Sequence, residues 1–425
     1  MGCKTEPQAP ARRIAAAVLS SALWAAALAG PAGAEDAFAC AAAGQWIVPA
    51  SGETVAANAV MALHSTRAIV LLGESHGKAD HHRWQLHMIA ALHGRRPHMV
   101  LGVEMLPRHA QPILDRWIAG ELSPAIFLEA VEWDAVWGFD AEFYLPLFHF
   151  ARLHRVPMVA LNVDRALIAE VGREGWASLS EEDREGVTTP APPPEDYRRS
   201  LAEVYASKQQ WEEGNGMPDE KPATVPEEEL ENVLRTPGFQ RFVEAQLTWD
   251  RAMAEVLARE AMRSDRPLVV GIIGRGHLEN RWGVPHQLAA LDLPNAVVLL
   301  PWQREHCAEI MPGLADGVFL LDEDERDAAR QGPRLGIMVM PHHDGVRIVQ
   351  VGQGSVAEAA GLAANDVIVA IGEAVVRTPQ DLTAIIRQQA PGTALPLSVR
   401  RGSKTLHIVA RFPDPPLNEQ GSEEQ

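Results

Sequence analysis

Four short apolar runs, each ended by a turn that carries a polar or ionisable side chain, constrain this chain more than any other feature. Ile69-Val70-Leu71-Leu72 leads into Gly73-Glu74-Ser75-His76, and residues 99–103 lead into Glu104. Residues 157–161 end at Asn162, and residues 268–273 end at Gly274-Arg275-Gly276-His277. Runs of this length, bounded by turn residues and separated by helical patterns, read as buried strands of a parallel sheet. Residues 82–93, 141–154 and 241–261 place apolar side chains at helical spacing between them. The expected fold class is therefore α/β, a mainly parallel sheet covered by helices. In such sheets the ligand crevice lies outside the carboxyl ends of the strands. Glu74, His76, Glu104, Asn162 and His277 should then meet on one rim.

Glu74 and His76 lie two apart on a turn, so both can face one cavity. Carboxylate and neutral imidazole are ligands for first-row metals and are also the usual acid–base pair. No helix carries His-Glu-x-x-His, so a metal would gather Glu74, His76 and His277 from separate strand ends, with Glu104 as partner carboxylate. Two close carboxylates would push one pKa upward and set an acid beside a base. Each remaining histidine of the 76–109 stretch, including His81 and His82, is expected to be solvated or capping. Ser75 sits in no Gly-x-Ser-x-Gly elbow, so a serine nucleophile is not expected.

The 425 residues carry a formal net charge of -18, which disfavours nucleic acid or an anionic membrane as partner. Residues 1–34 have the form of an export signal: Lys4, Arg12 and Arg13, an apolar stretch over 14–29, then Ala32-Gly33-Ala34. The expected location is the periplasm or cell envelope of a bacterium. Lipid anchoring at Cys40 is the lesser alternative, because Ala37 stands where a lipobox usually has Leu. After signal removal Cys40 and Cys307 remain, either as one disulfide or as two unpaired thiols. The main domain spans 41–321. Within it, residues 179–237 form a Pro-rich acidic insertion, either a lid over the crevice or an uninvolved loop. A charged linker at 321–326 leads to a second domain over 334–412, and 413–425 should be a disordered tail.

The order of these motifs resembles the ChaN-like haem-binding family of the Tiki/TraB/erythromycin-esterase superfamily over about residues 44–302. The resemblance rests on Gly73-Glu74-Ser75-His76 with His81-His82-Arg83-Trp84, Gly102-Val103-Glu104-Met105 and Trp137-Gly138-Phe139 with Tyr144. It continues in Ala160-Leu161-Asn162-Val163, Gln246-Leu247-Thr248-Trp249-Asp250-Arg251-Ala252-Met253 and Gly274-Arg275-Gly276-His277. It implies haem as cofactor, with Tyr144 holding the iron and Glu74, His76, Arg83, Asn162 and His277 around it. Trp137, Phe139 and Leu145 would form an apolar wall, and Arg83, Arg108 or Arg165 would meet the propionates. A homodimer enclosing the porphyrin is one arrangement the family uses. The superfamily also contains metal-dependent proteases and esterases. The alternative is thus a hydrolase using Glu74, His76, Glu104 and His277 with a divalent metal such as zinc or manganese.

Residues 334–412 resemble a PDZ domain. Leu335-Gly336-Ile337 matches the carboxylate-binding loop, and Gly354-Ser355-Val356-Ala357-Glu358-Ala359-Ala360-Gly361-Leu362 matches the bacterial helix signature. Asn365 departs from the pattern, standing where Gly is usual. The resemblance implies that a protein C-terminus adds as a strand beside 337–339, with a helix at 379–388 as the other wall.

Overall fold

The computed structural model describes residues 40–212, 225–322, 334–352 and 354–413. The expected export signal, most of the expected linker and the expected disordered tail lie outside the described residues. An eight-stranded sheet is built from β1 (Trp46–Val48), β2 (Glu53–Val55), β3 (Ile69–Glu74), β4 (Met99–Pro107), β5 (Met158–Asn162), β6 (Leu268–Gly274), β7 (Val297–Gln303) and β8 (Gly317–Leu321). Its order is β2-β1-β8-β7-β3-β6-β4-β5. From β8 to β5 every pairing is parallel, while β1 and β2 close one edge antiparallel.

Both faces of the sheet are covered, which is why the strand sequences are almost uninterrupted apolar runs. The two-residue period of β3 sends Val70 and Leu72 to one side, where they share a core with Trp84 and Met88 of helix Ala79–Arg95 and Leu147 and Phe148 of helix Ala141–His154. Ile69 and Leu71 face the other side and pack with Met253, Val256 and Leu257 of helix Pro237–Ala261. By the same alternation Glu74, the last residue of β3, emerges on the Trp84 side. Glu104 is not a strand end as the sequence suggests: β4 continues to Pro107, and its pairing with β5 slips between Val103 and Pro107. The irregularity re-aims the strand at the level of Glu104.

The acidic segment is not a loop over its described part. It forms helices Glu195–Glu212 and Glu227–Val233, whose Tyr197, Leu201, Leu230 and Val233 bury a separate apolar cluster against Phe239 and Val243. Spaced apolar residues in an acidic background are enough for one buried helical stripe. Cys40 and Cys307 are joined by a disulfide, with Cα atoms 5.8 Å apart, closing a separation of 267 residues.

The second domain is an antiparallel sheet of β9 (Ile337–His342), β10 (Gly345–Val351), β11 (Val367–Ile371), β12 (Ala374–Val375), β13 (Ala394–Arg401) and β14 (Lys404–Arg411). Its main path runs β14-β13-β11-β10-β9, which leaves β9 at an edge. Helix Pro379–Arg387 starts in a capping box formed by Thr378 and Asp381. Asn365 has φ +69°, so the family's glycine is replaced by a residue that tolerates the left-handed region. Among the described residues no helix is long and apolar enough to cross a membrane.

Candidate functional site

The strand ends deliver their polar side chains to one mouth. Glu74, His76 and Glu104 each offer a ligand atom, and the three atoms lie within 4.8 Å of one another. His277, in the turn after β6, brings Nε2 to 3.6 Å from Glu104 Oε1. Asn162 lies behind this group, donating Nδ2 to the Glu104 carbonyl at 3.0 Å and accepting from Trp249 Nε1 at 2.5 Å. Close approach is possible because β6 ends in glycine: a Cβ on Gly274 would stand 2.6 Å from His76 Cε1. The Gly274 amide also donates to Glu104 Oε2 at 2.5 Å.

Glu74 and Glu104 are 1% and 2% exposed, so water cannot screen them. Glu74 Oε1 is bound by His76 Nδ1 at 2.5 Å, while Glu74 Oε2 is buried without a hydrogen-bond partner among the described residues. Burial alone would lower the His76 pKa, but the hydrogen bond and charge of Glu74, with Glu104 behind, raise it. His277 follows the same balance. Burial opposes its charge, yet Asp250, then Glu104 and Glu74, push the pKa up to about 9. A mouth this negative favours a bound proton or cation.

Several contributors have roles that the sequence reading did not assign. Asp250 Oδ1 holds His277 Nδ1 at 2.6 Å, and Asp250 Oδ2 accepts from Tyr197 of the acidic segment at 2.9 Å. Gln246 Nε2 lies 3.1 Å from the same imidazole nitrogen. The available signal is the spacing of Gln246 and Asp250, four apart and so on one face of helix Pro237–Ala261. His81 and His82 are buried rather than solvated. His81 Nδ1 accepts the Ser75 amide at 2.9 Å and so pins the turn between Glu74 and His76. Burial, then the charge of Arg275, lowers its pKa to about 3, which keeps that nitrogen an acceptor. His82 Nε2 lies 3.2 Å from the His76 carbonyl and 3.8 Å from Glu74 Oε2.

Tyr144 is drawn in beneath the turn, not presented at the mouth. Its ring is fully buried, with its centroid 4.2 Å from that of His82, and its hydroxyl donates to the His76 carbonyl at 3.4 Å. Burial, reinforced by the charge of Glu74, raises its pKa far above the ordinary value, so it stays a phenol. Arg83 lies on the exposed face of its helix and pairs with Asp80. Arg108 is committed to the carbonyls of Glu185 and Ala252, at 2.7 and 2.8 Å. Arg165 donates to the Trp137 carbonyl at 3.2 Å. Trp137 and Phe139 hold ring centroids 4.7 and 4.8 Å from that of His76.

In the second domain Leu335 is buried and Gly336 has φ +73°. A Cβ there would stand 2.4 Å from Ser355 Cβ, so only glycine fits the turn that leads into Ile337.

Residues 60–288 match the family model for haem-binding uptake, Tiki superfamily, ChaN, and residues 333–410 match the PDZ domain model. A solved structure of ChaN of Campylobacter jejuni, described by cofacial haem binding, is 18% identical with a TM-score of 0.49, covering 64% of this chain and 95% of that one. A probable periplasmic serine endoprotease, DegP-like, of Halomonas elongata is 34% identical over 88 residues. That match covers 19% of each protein, so this chain spans about a fifth of that relative's length. The serine endoprotease structure from Yersinia pestis is 17% identical with a TM-score of 0.18, covering 20% of this chain and 29% of that one. The match at residues 60–288 takes in more than half of the sequence, and with it the chain belongs to the ChaN haem-binding uptake family of the Tiki superfamily, carrying a PDZ domain after it.

Proposed function

We propose that this is an exported haem- and iron-binding protein of the bacterial envelope, that His76 holds the iron at the outer side of the strand-end cluster, and that the PDZ domain captures a protein C-terminus. His76 carries the reading. Its side chain is 30% exposed, whereas Glu74, Glu104 and His277 are buried, so a porphyrin could meet the cluster only from the His76 side. Glu74 fixes Nδ1, which leaves Nε2 as the donor atom, the arrangement by which a carboxylate orients a metal-bound imidazole. Trp137 and Phe139 offer the apolar wall, and Arg165 stands beside it for a propionate. Tyr144, to which the family resemblance gives that role, is fully buried beneath the turn, so His76 is the side chain a porphyrin meets first. Bound haem would supply a Lewis-acidic, redox-active iron. The charged and apolar pattern of 1–34 and the Cys40–Cys307 disulfide support export to an oxidising compartment.

For the PDZ domain the support is the free edge of β9 beside Gly336. An extended peptide can continue the sheet there, with its carboxylate on the amides of that turn.

A second reading is favoured by the orphaned Glu74 Oε2. Glu74, His76 and Glu104 are spaced to hold a small divalent cation, with His277 beside Glu104, and a carboxylate there could act as general base for hydrolysis.

The test is an absorption spectrum and metal analysis of the mature protein supplied with haem. A Soret band lost in His76→Ala and kept in Tyr144→Phe is expected. The reverse pattern would return the iron to Tyr144, and no band with one equivalent of zinc or manganese would favour the hydrolase. For the PDZ domain, amidating a bound peptide's C-terminus should weaken binding at least tenfold; unchanged binding would contradict the carboxylate mode.

A further inference from the structure

A second cavity lies at the opposite end of the parallel strands, where β7 and β8 begin. It measures about 350 Å³. Val55, Val60 and Leu63 form apolar walls, and Leu63 is 55% exposed on helix Ala57–His64, whose Val60, Met61 and His64 are buried. The polar groups around it are His64, Arg67, Arg281 and Asp316. Arg281 is already satisfied: Asp316 Oδ2 accepts from it at 2.8 Å, and the carbonyls of Ala296 and Pro294 accept at 2.8 and 3.2 Å. Asp316 cancels its charge and also caps the Val298 amide at 2.8 Å. Arg67 differs. Its guanidinium has no hydrogen-bond or ion-pair partner among the described residues. His64 is 7% exposed, and its Nδ1 is buried without a partner. Burial lowers its pKa, so the ring is neutral near pH 7.

The cavity thus combines an apolar body, one uncompensated cation and one unsatisfied imidazole. Its complement is a molecule with an apolar tail and a single anionic head. The surroundings reinforce the sign. On the other side of residues 66–68, Arg96, Arg263 and Arg266 line a neighbouring cavity, and Arg96 donates to the carbonyls of Arg67 and Arg266 at 2.7 and 2.5 Å. Arg263 is paired with Glu260 and Asp265 at 3.1 and 2.8 Å, so in a chain of net charge -18 it is Arg96 and Arg266 that add positive charge beside Arg67. We propose that the cavity binds a medium-chain carboxylate amphiphile, with its tail between Val55, Val60 and Leu63 and its head on Arg67. This site is separate from the Glu74–His277 mouth and does not depend on what that mouth binds.

Titration calorimetry of the mature full-length protein with decanoate, 1-decanol and acetate tests it. Decanoate should bind once per chain, with decanol and acetate at least tenfold weaker. Arg67→Gln should weaken decanoate at least tenfold and leave decanol unchanged. Ala59→Trp, an exposed position on the cavity lining, should block decanoate. No decanoate binding, decanol as tight as decanoate, acetate as tight as decanoate, or an Arg67→Gln variant with full affinity would each overturn the proposal.

Discussion

Asp250 Oδ1 lies 2.6 Å from His277 Nδ1, so a residue from the long helix before β6 decides which way the imidazole faces. With Nδ1 donating to Asp250, His277 turns Nε2 toward Glu104. A carboxylate in this position fixes the tautomer and orientation of a ligand histidine. Asp250→Ala should therefore reduce metal affinity at the mouth about 10- to 100-fold with the fold retained. Tyr197→Phe, which removes only the hydroxyl behind Asp250, should have a smaller effect. Metal titration with circular dichroism as the folding control reads both.

The raised pKa of His277 makes stability of the metal-free protein depend on pH. Its folded-state value of about 9 lies above the ordinary 6.5. The stabilisation is therefore complete below about pH 6.5 and is lost as pH rises through about 9, amounting to roughly 3 kcal/mol. Denaturant melts between pH 6 and 10 should show this decline, and Asp250→Asn should flatten it. Cation binding requires the unprotonated ring, so metal affinity should rise over the same range.

Gly274→Ala inserts a methyl where His76 Cε1 stands 2.6 Å away. The imidazole must move, because the amide of residue 274 is held by Glu104. Overpacking of this kind costs about 1–3 kcal/mol. Loss of ligand binding should exceed the loss of stability, as judged by haem or metal titration beside a thermal melt.

The disulfide ties the segment before β1 to the turn after β7 across 267 residues. Cys40→Ala with Cys307→Ala, or reduction, should lower stability by about 2–4 kcal/mol. Denaturant melts with and without reductant measure it.

Much of the architecture can be read directly from the chain. The strand-to-turn signal is local, so β3, β4, β5 and β6 and the meeting of Glu74, His76, Glu104 and His277 follow from it. Helix Ala141–His154 has the expected bounds. The partner of Asp250 is harder to foresee, since it is one of several carboxylates on its helix, with Glu244, Glu255 and Glu260, and the sequence does not say which of them faces His277. Tyr197 is harder still, because it reaches the site from a segment that reads as an acidic loop. Tyr144 shows the opposite effect. The spacing of Tyr144, Leu147, Phe148 and Ala151 is a core stripe, and all four are buried, a placement that the motif resemblance alone does not convey. The basic edge is also hidden in the sequence: Arg67, Arg96, Arg263 and Arg266 come together only when the strand starts align.

The most direct measurement is iron-edge anomalous diffraction from crystals of the mature protein grown with haem. The account predicts an iron peak within bonding distance of His76 Nε2, beside Trp137 and Phe139. An iron peak bonded to Tyr144, or bound away from the Glu74–His76–Glu104 mouth, would contradict it.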